Sequence, residues 1–498
     1  LDEERRNTMW AFIITGALIL ISLLYYSVNI YYIYLIVYIW FGFAYGMMLQ
    51  YGRFCFASAS RDLFAAGVPR MAVGIMIALI FFSLVQAFLA SVNMSTFHPA
   101  PFGIHMLIAG TIFGIGMVLA GGCASGSLYK IGEGNGTSIL AVIFGLSLGQ
   151  AIFVDLGGVF DKLVPQSWAE SARAKAWIPS YITQSGWFDQ YLVGYVWNKP
   201  QYTIAKLISG GHPKAIHYFI GNSFINAILP AVIILVLVYI KWARKGFIKK
   251  RRKQKGTIGL GDELAGIWAM ITASKRTSLM GVLIGITAGI HILAIKAMQV
   301  KFGVNNFGQL LTRMGHGLDF SARAKLYDPS FTATLSNIKK IVGDVTVGNT
   351  VFDPGYWYIT SQEAQFGAWI LEKLGWNMHD NMFFGYVNGV PELWRNPALW
   401  MSLGIIFGSM VMARLQNEFR FKWPKGELYV WGILGGLLMG FGSRPSLGCN
   451  IGAFFIRASG GDPNGWVYGT GMVLGAFIGV KFFNWWTERK MAKEMEEF

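Results

Sequence analysis

Apolar runs separated by polar or glycine-rich breaks fill most of this chain. A helix needs about 20 apolar residues to cross a bilayer. Candidate spans lie at 9–27, 30–49, 71–92, 104–121, 136–155, 218–240, 277–298, 397–413, 427–442 and 464–486, of which 397–413 and 427–442 are short. Four further apolar stretches, 50–66, 124–130, 258–274 and 450–459, are too short or too polar to cross and read as half-helices or interfacial helices. The pattern predicts an all-α polytopic membrane protein of about ten spanning helices plus short re-entrant pieces. The first run is followed at once by another span and by no small-residue cleavage signal, so it reads as a retained helix.

Composition agrees. The 498 residues are 54% hydrophobic and 14% charged, against about 25% charged in a soluble chain. A net charge of +16 would point to nucleic acid in a soluble protein. Here the excess is topological: nine Lys/Arg fall within 241–255, directly after a span. The positive-inside rule places that loop in the cytoplasm, with the Arg5/Arg6 terminus and segments 50–70 and 414–425 on the same side. The reading is a first membrane half, 1–155; an extracytoplasmic insertion, 156–217; central helices, 218–298, carrying the basic loop; a second extracytoplasmic insertion, 299–396; and a second cysteine hairpin region, 397–498.

Aligning Cys123 with Cys449 at an offset of 326 brings glycines into register. Gly110 meets Gly436, Gly114 meets Gly440, Gly122 meets Gly448, Gly126 meets Gly452 and Gly145 meets Gly471. This implies a pseudo-symmetric duplication of the kind common in transporters. A second repeat links the insertions, Ser-Ala-Arg-Ala-Lys at 171–175 and at 321–325, where Arg173, Lys175, Arg323 and Lys325 either form a basic cap or are merely solvated.

The three cysteines, Cys55, Cys123 and Cys449, each sit in a glycine-rich break at the end of an apolar run. A free cysteine is usually inert packing. Gly122 and Gly448, however, place Cys123 and Cys449 beside backbone released from helix, where N–H groups can face an anion. Ser125 adds a hydroxyl and Asn450 an amide, and following helices point positive ends at the turn. Arg53 and Arg444 offer formal charge to the path or snorkel to an interface. The seven His show no metal-ligand spacing, and there is no Cys-x-x-Cys or nucleotide-binding loop. No cofactor and no enzymatic reaction are therefore expected. Cys55 has no cysteine counterpart around 258–274, where one would be sought.

Gly52-Arg53-Phe54-Cys55-Phe56 with Ser60-Arg61-Asp62-Leu63, Gly122-Cys123-Ala124-Ser125-Gly126 and Leu447-Gly448-Cys449-Asn450-Ile451-Gly452 resemble the YeeE/YedE family of membrane proteins, which includes thiosulfate transporters. The resemblance implies a bacterial inner-membrane permease in which a sulfur-containing anion passes three protonated thiols by S–H hydrogen bonds. A nearby dianion favours the protonated thiol, so the cysteines would donate rather than react. The large insertions depart from the compact family pattern. They leave room for a sulfur-carrier protein on either side of the membrane, and for the alternative of a non-transporting docking subunit. A membrane thiol enzyme would need two cysteines close enough to oxidise.

Overall fold

In a computed structural model the chain is almost entirely helical. The structure describes residues 2–97, 99, 102–155, 196–198, 203–304, 310, 311, 313–315, 359–376, 378, 390–424, 426–446 and 448–496. Both copies of the basic repeat, with Arg173, Lys175, Arg323 and Lys325, lie outside the described residues.

Among the described residues, eight helices are long and apolar enough to cross a membrane, and two shorter apolar ones match further spans read from the sequence. In chain order the elements are α1 (Asp2–Val28), α2 (Ile33–Gly52), α3 (Phe56–Ala66), α4 (Arg70–Ser91), α5 (Ile104–Leu119) and α6 (Ala124–Gly132). Next come α7 (Gly136–Phe153), α8 (Ala215–Gln254) and α10 (Lys275–Phe302), with α9 (Leu260–Thr272) between the last two. The second half continues with α11 (Thr360–Lys373), α12 (Pro397–Leu415) and α13 (Leu428–Gly442). It ends with α14 (Asn450–Ile456, continuing through Arg457–Gly460) and α15 (Asn464–Glu496).

Packing follows the repeat. α2 lies along α12 while α10 lies along α4, so each half lends a helix to the other. The glycines in register mark the equivalent seams: Gly110 and Gly114 bring α5 against the backbone of α15, and Gly436 brings α13 against Gly145 of α7. Without a hydrophobic drive between helices in lipid, such small residues admit the close backbone approach that holds the bundle.

One end of the molecule is basic. Asn7 donates to Asn417 at 3.0 Å, Arg53 pairs with Glu418 at 2.6 Å, and a Cβ on Gly67 would lie 3.2 Å from Trp242. The chain start, 50–70, the base of the basic run and 414–425 thus share one face. Described residues of the second stretch read as an insertion sit at the other: Asn29 donates to the Arg313 carbonyl at 3.2 Å and Arg395 to that of Gly315 at 2.8 Å.

All four short stretches are helical, but α9 differs from the rest. Leu260, Leu264 and Trp268 are exposed, giving an interfacial helix rather than a buried one. Instead, the remaining half-helix is α11, inside the stretch read as the second insertion. It packs against α7, where Gly367 lets its backbone approach the Ser147 carbonyl. Its polar opening, Thr-Ser-Gln-Glu, hides it from a hydropathy reading.

Candidate functional site

Each cysteine is the residue immediately before a half-helix: Cys55 before α3, Cys123 before α6 and Cys449 before α14. All three have extended backbone, as N-cap residues do. In place of the usual hydroxyl or carboxyl cap, sulfur accepts: the Gly126 N–H donates to Cys123 Sγ at 3.3 Å, and the Ile451 N–H to Cys449 Sγ at 3.4 Å. These N–H groups orient the sulfurs and leave each thiol hydrogen available.

The glycines of the turns have a geometric reason. A Cβ on Gly122 would meet the Ser127 hydroxyl at 3.0 Å, and one on Gly448 the Ala453 nitrogen at 3.0 Å. Both turns are therefore folded back on the helices they start.

Cys55 and Cys123 come together, with sulfurs 3.8 Å apart, within S–H hydrogen-bond reach, not joined by a disulfide, and buried. Ser125 Oγ lies 3.6 Å from Cys123 Sγ. The pair closes over Gly126, where a Cβ would sit 2.5 Å from Cys55 Sγ and 3.0 Å from Cys123 Sγ. Residues of α14, the half-helix that Cys449 precedes, reach the same centre: Phe56 meets Phe454 edge-on at 5.9 Å, and Ser125 and Ile451 line one cavity with Phe54, Phe56 and Phe455. That cavity holds only about 10 Å³, about one water molecule.

The second half carries a different partner at its thiol. The first residue of α11, Thr360, turns its backbone N–H to the Cys449 sulfur. Ile359 therefore stands before α11 where Cys55 stands before α3. Gly452, the counterpart of Gly126, has nothing within 4 Å of a Cβ among the described residues.

The other candidates are distributed as follows. Asn450 is fully buried beside Cys449, and both its amide atoms lack a protein partner among the described residues. Arg444 is 2% exposed, within the turn before Cys449. Arg53 points to the basic end: its guanidinium reaches Glu133 at 3.2 Å and Glu418 at 2.6 Å, and Gln50 also donates to Glu418 at 2.9 Å. Arg53 holds a left-handed backbone at φ 57, an unusual conformation for a side chain.

Among the buried polar groups that the sequence reading did not single out, three stand near this site. Arg457, 4% exposed on α14, directs Nη1 at Met106 Sδ 3.5 Å away. Its signal was present, an arginine inside an apolar run. Gln362 and Glu363 on α11 are 1% and 2% exposed, and their signal was lost in a stretch read as exported. Among the described residues no group of His, Cys, Asp and Glu could hold a metal. Half-helix N-termini, thiols, an unpaired amide and buried arginines together favour a small anion.

Comparison with known proteins gives the chain's family. The family described as Sulphur transport matches residues 51–478. A thiosulfate transporter TsuA of Spirochaeta thermophila is 26% identical over 444 residues, covering 87% of this chain and 94% of the relative. The TsuA of Escherichia coli is 24% identical over 441 residues, covering 87% and 90%. A probable transporter YedE of Escherichia coli is 36% identical over 130 residues, 26% of this chain and 32% of that protein.

Proposed function

Because the chain belongs to the Sulphur transport family, we propose that it carries thiosulfate across the membrane, with Cys55, Cys123 and Cys449 as successive S–H donors. The observation that carries this reading is the convergence of thiols at half-helix N-termini, with Cys55 and Cys123 at 3.8 Å. Thiosulfate has a soft, polarizable terminal sulfur, which a thiol matches better than a hydroxyl does. Helix ends compensate part of the anion's charge, and Arg444 supplies a cation near Cys449.

Weak contacts suit the task, because a conducting site must release what it binds. Gly126 lets two sulfurs share one position, so an anion leaving one donor finds the next within reach. The cavity is too small for thiosulfate, so passage requires the half-helices to part. Arg444 and Asn450 would hold the anion at Cys449, and Ser125 would do so at Cys123. By the positive-inside rule the basic end faces the cytoplasm and the insertions face outward, where a sulfur-carrier protein could deliver the substrate.

Uptake of labelled thiosulfate into proteoliposomes tests the reading. Wild type should accumulate the label, and the triple variant Cys55→Ala, Cys123→Ala, Cys449→Ala should lose at least about tenfold of the rate, the loss of about 1.4 kcal/mol of barrier stabilisation. Undiminished uptake by the triple variant would end the relay.

A further inference from the structure

The half-helix that lacks a cysteine carries a carboxyl group instead. Glu363 lies one turn into α11, three residues beyond Thr360, whose N–H faces the Cys449 sulfur. Residues three apart share a helix face, and the rise between them is about 4.5 Å. Glu363 is 2% exposed. Its Oε2 accepts from the Ser147 hydroxyl of α7 at 3.3 Å, and its Oε1 has no partner among the described residues. Beside it, Gln362 has neither amide atom paired among the described residues.

The charges around Glu363 are few. α7 presents Ser147 and α12 presents Ser402, both neutral, and no cation or second carboxylate acts on it among the described residues. On α11 itself the neighbours are Thr360, Gln362 and Gln365, with Gln365 accepting from Asn396 at 2.8 Å. The titratable and charged groups at the Cys449 rim are the thiol itself, the Tyr468 hydroxyl that interacts with it, and Arg444 in the turn before it. The corresponding position on α3 is Ala59, so the carboxyl belongs to one half alone.

A buried carboxyl inside a membrane protein costs free energy that packing does not return, and such groups mark proton pathways. We infer that Glu363 is a proton-binding site coupled to the anion at Cys449, so that thiosulfate and a proton occupy this centre together. The inference rests on the thiosulfate reading above. A carboxylate and a dianion one helical turn apart repel strongly where no water screens them. Anion binding therefore draws a proton onto Glu363: carboxylate plus proton gives the neutral acid, with no other bond made or broken. By linkage, protonation strengthens anion binding by the same factor.

The test uses the purified full-length protein, lightly buffered with a pH-indicator dye, and sodium thiosulfate as the added probe. Binding is followed by calorimetry across a pH series. Wild type should take up close to one proton per bound anion at the alkaline end, its affinity falling there by up to about tenfold per pH unit. Glu363→Gln should bind thiosulfate without proton uptake and with a nearly pH-independent affinity. Ser147→Ala, which removes the hydroxyl that stabilises the carboxylate, should keep the uptake and move its midpoint to higher pH. This variant carries the test should Glu363→Gln fail to fold. Binding without proton uptake in wild type, or uptake unchanged in Glu363→Gln, overturns the inference and leaves the thiosulfate reading standing. Absence of thiosulfate binding by wild type overturns both.

Discussion

The two halves of this molecule share a scaffold and differ at its centre. In the first half, the half-helices α3 and α6 begin with cysteines whose sulfurs meet at 3.8 Å over Gly126. In the second, α14 begins after Cys449 but α11 begins after Ile359, and open space surrounds Gly452 among the described residues. Duplication supplies four helix starts aimed inward; divergence decides which carry sulfur. One half is thus a tight, two-thiol contact and the other a roomier, polar one containing Asn450, Gln362 and Glu363. A path with unlike ends gives an anion a direction in which its contacts change, and identical ends would not.

The glycine pair breaks this comparison most sharply. Gly126→Ala would drive a methyl group into both sulfurs, an overpacking cost of about 1–3 kcal/mol, and should abolish thiosulfate uptake. Gly452→Ala meets no described atom and adds helix propensity, worth up to about 1 kcal/mol. It should raise the thermal midpoint in detergent while uptake changes little. Equal damage from both substitutions would mean that the halves are alike after all.

A gentler change probes the cap positions. Ile359→Cys places a thiol before α11, as Cys55 stands before α3, and loses packing worth about 1–2 kcal/mol. Thiosulfate should protect the introduced thiol from alkylation as it protects Cys449. Protection of Cys449 alone would break the equivalence of α3 and α11.

The smallest effect is expected at the helix ends. α2 and α10 both finish in a left-handed residue, Arg53 at φ 57 and Gly303 at φ 61. Arg53→Gly removes the pairs to Glu133 and Glu418 but also the strain, whereas Arg53→Ala keeps the strain. Such half-exposed pairs contribute under about 1 kcal/mol each. Thermal unfolding should therefore order the proteins as wild type, then Arg53→Gly, then Arg53→Ala, with uptake within about threefold throughout.

Much of this was legible beforehand, for identifiable reasons. The spans announce themselves because lipid admits little but apolar helix. The turns at Cys123 and Cys449 announce themselves because Gly122 and Gly448 repeat where the chain folds back. Glycines such as Gly110 and Gly436 show the duplication because backbone contact forbids a side chain there. What stayed hidden is polar and buried. α11 opens with Thr-Ser-Gln-Glu and follows a long polar stretch, so its place among membrane helices follows only from packing against α7 and α12. The counterpart of Cys55 was sought at 258–274, which is an exposed interfacial helix. That Arg53 faces two carboxylates, and not the thiols, depends on loops from both halves that no local pattern links.

The exchange of helices between halves bears on how the protein is made. α2 packs on α12 and α4 on α10, so the first cysteine hairpins enter the bilayer long before their partners are synthesised. Until α10 and α12 arrive, α2 and α4 must wait with seams facing lipid or an insertion factor. The first half is then a biogenesis intermediate and not a module. Its two thiols, meanwhile, lack the roof that later shields them from oxidation.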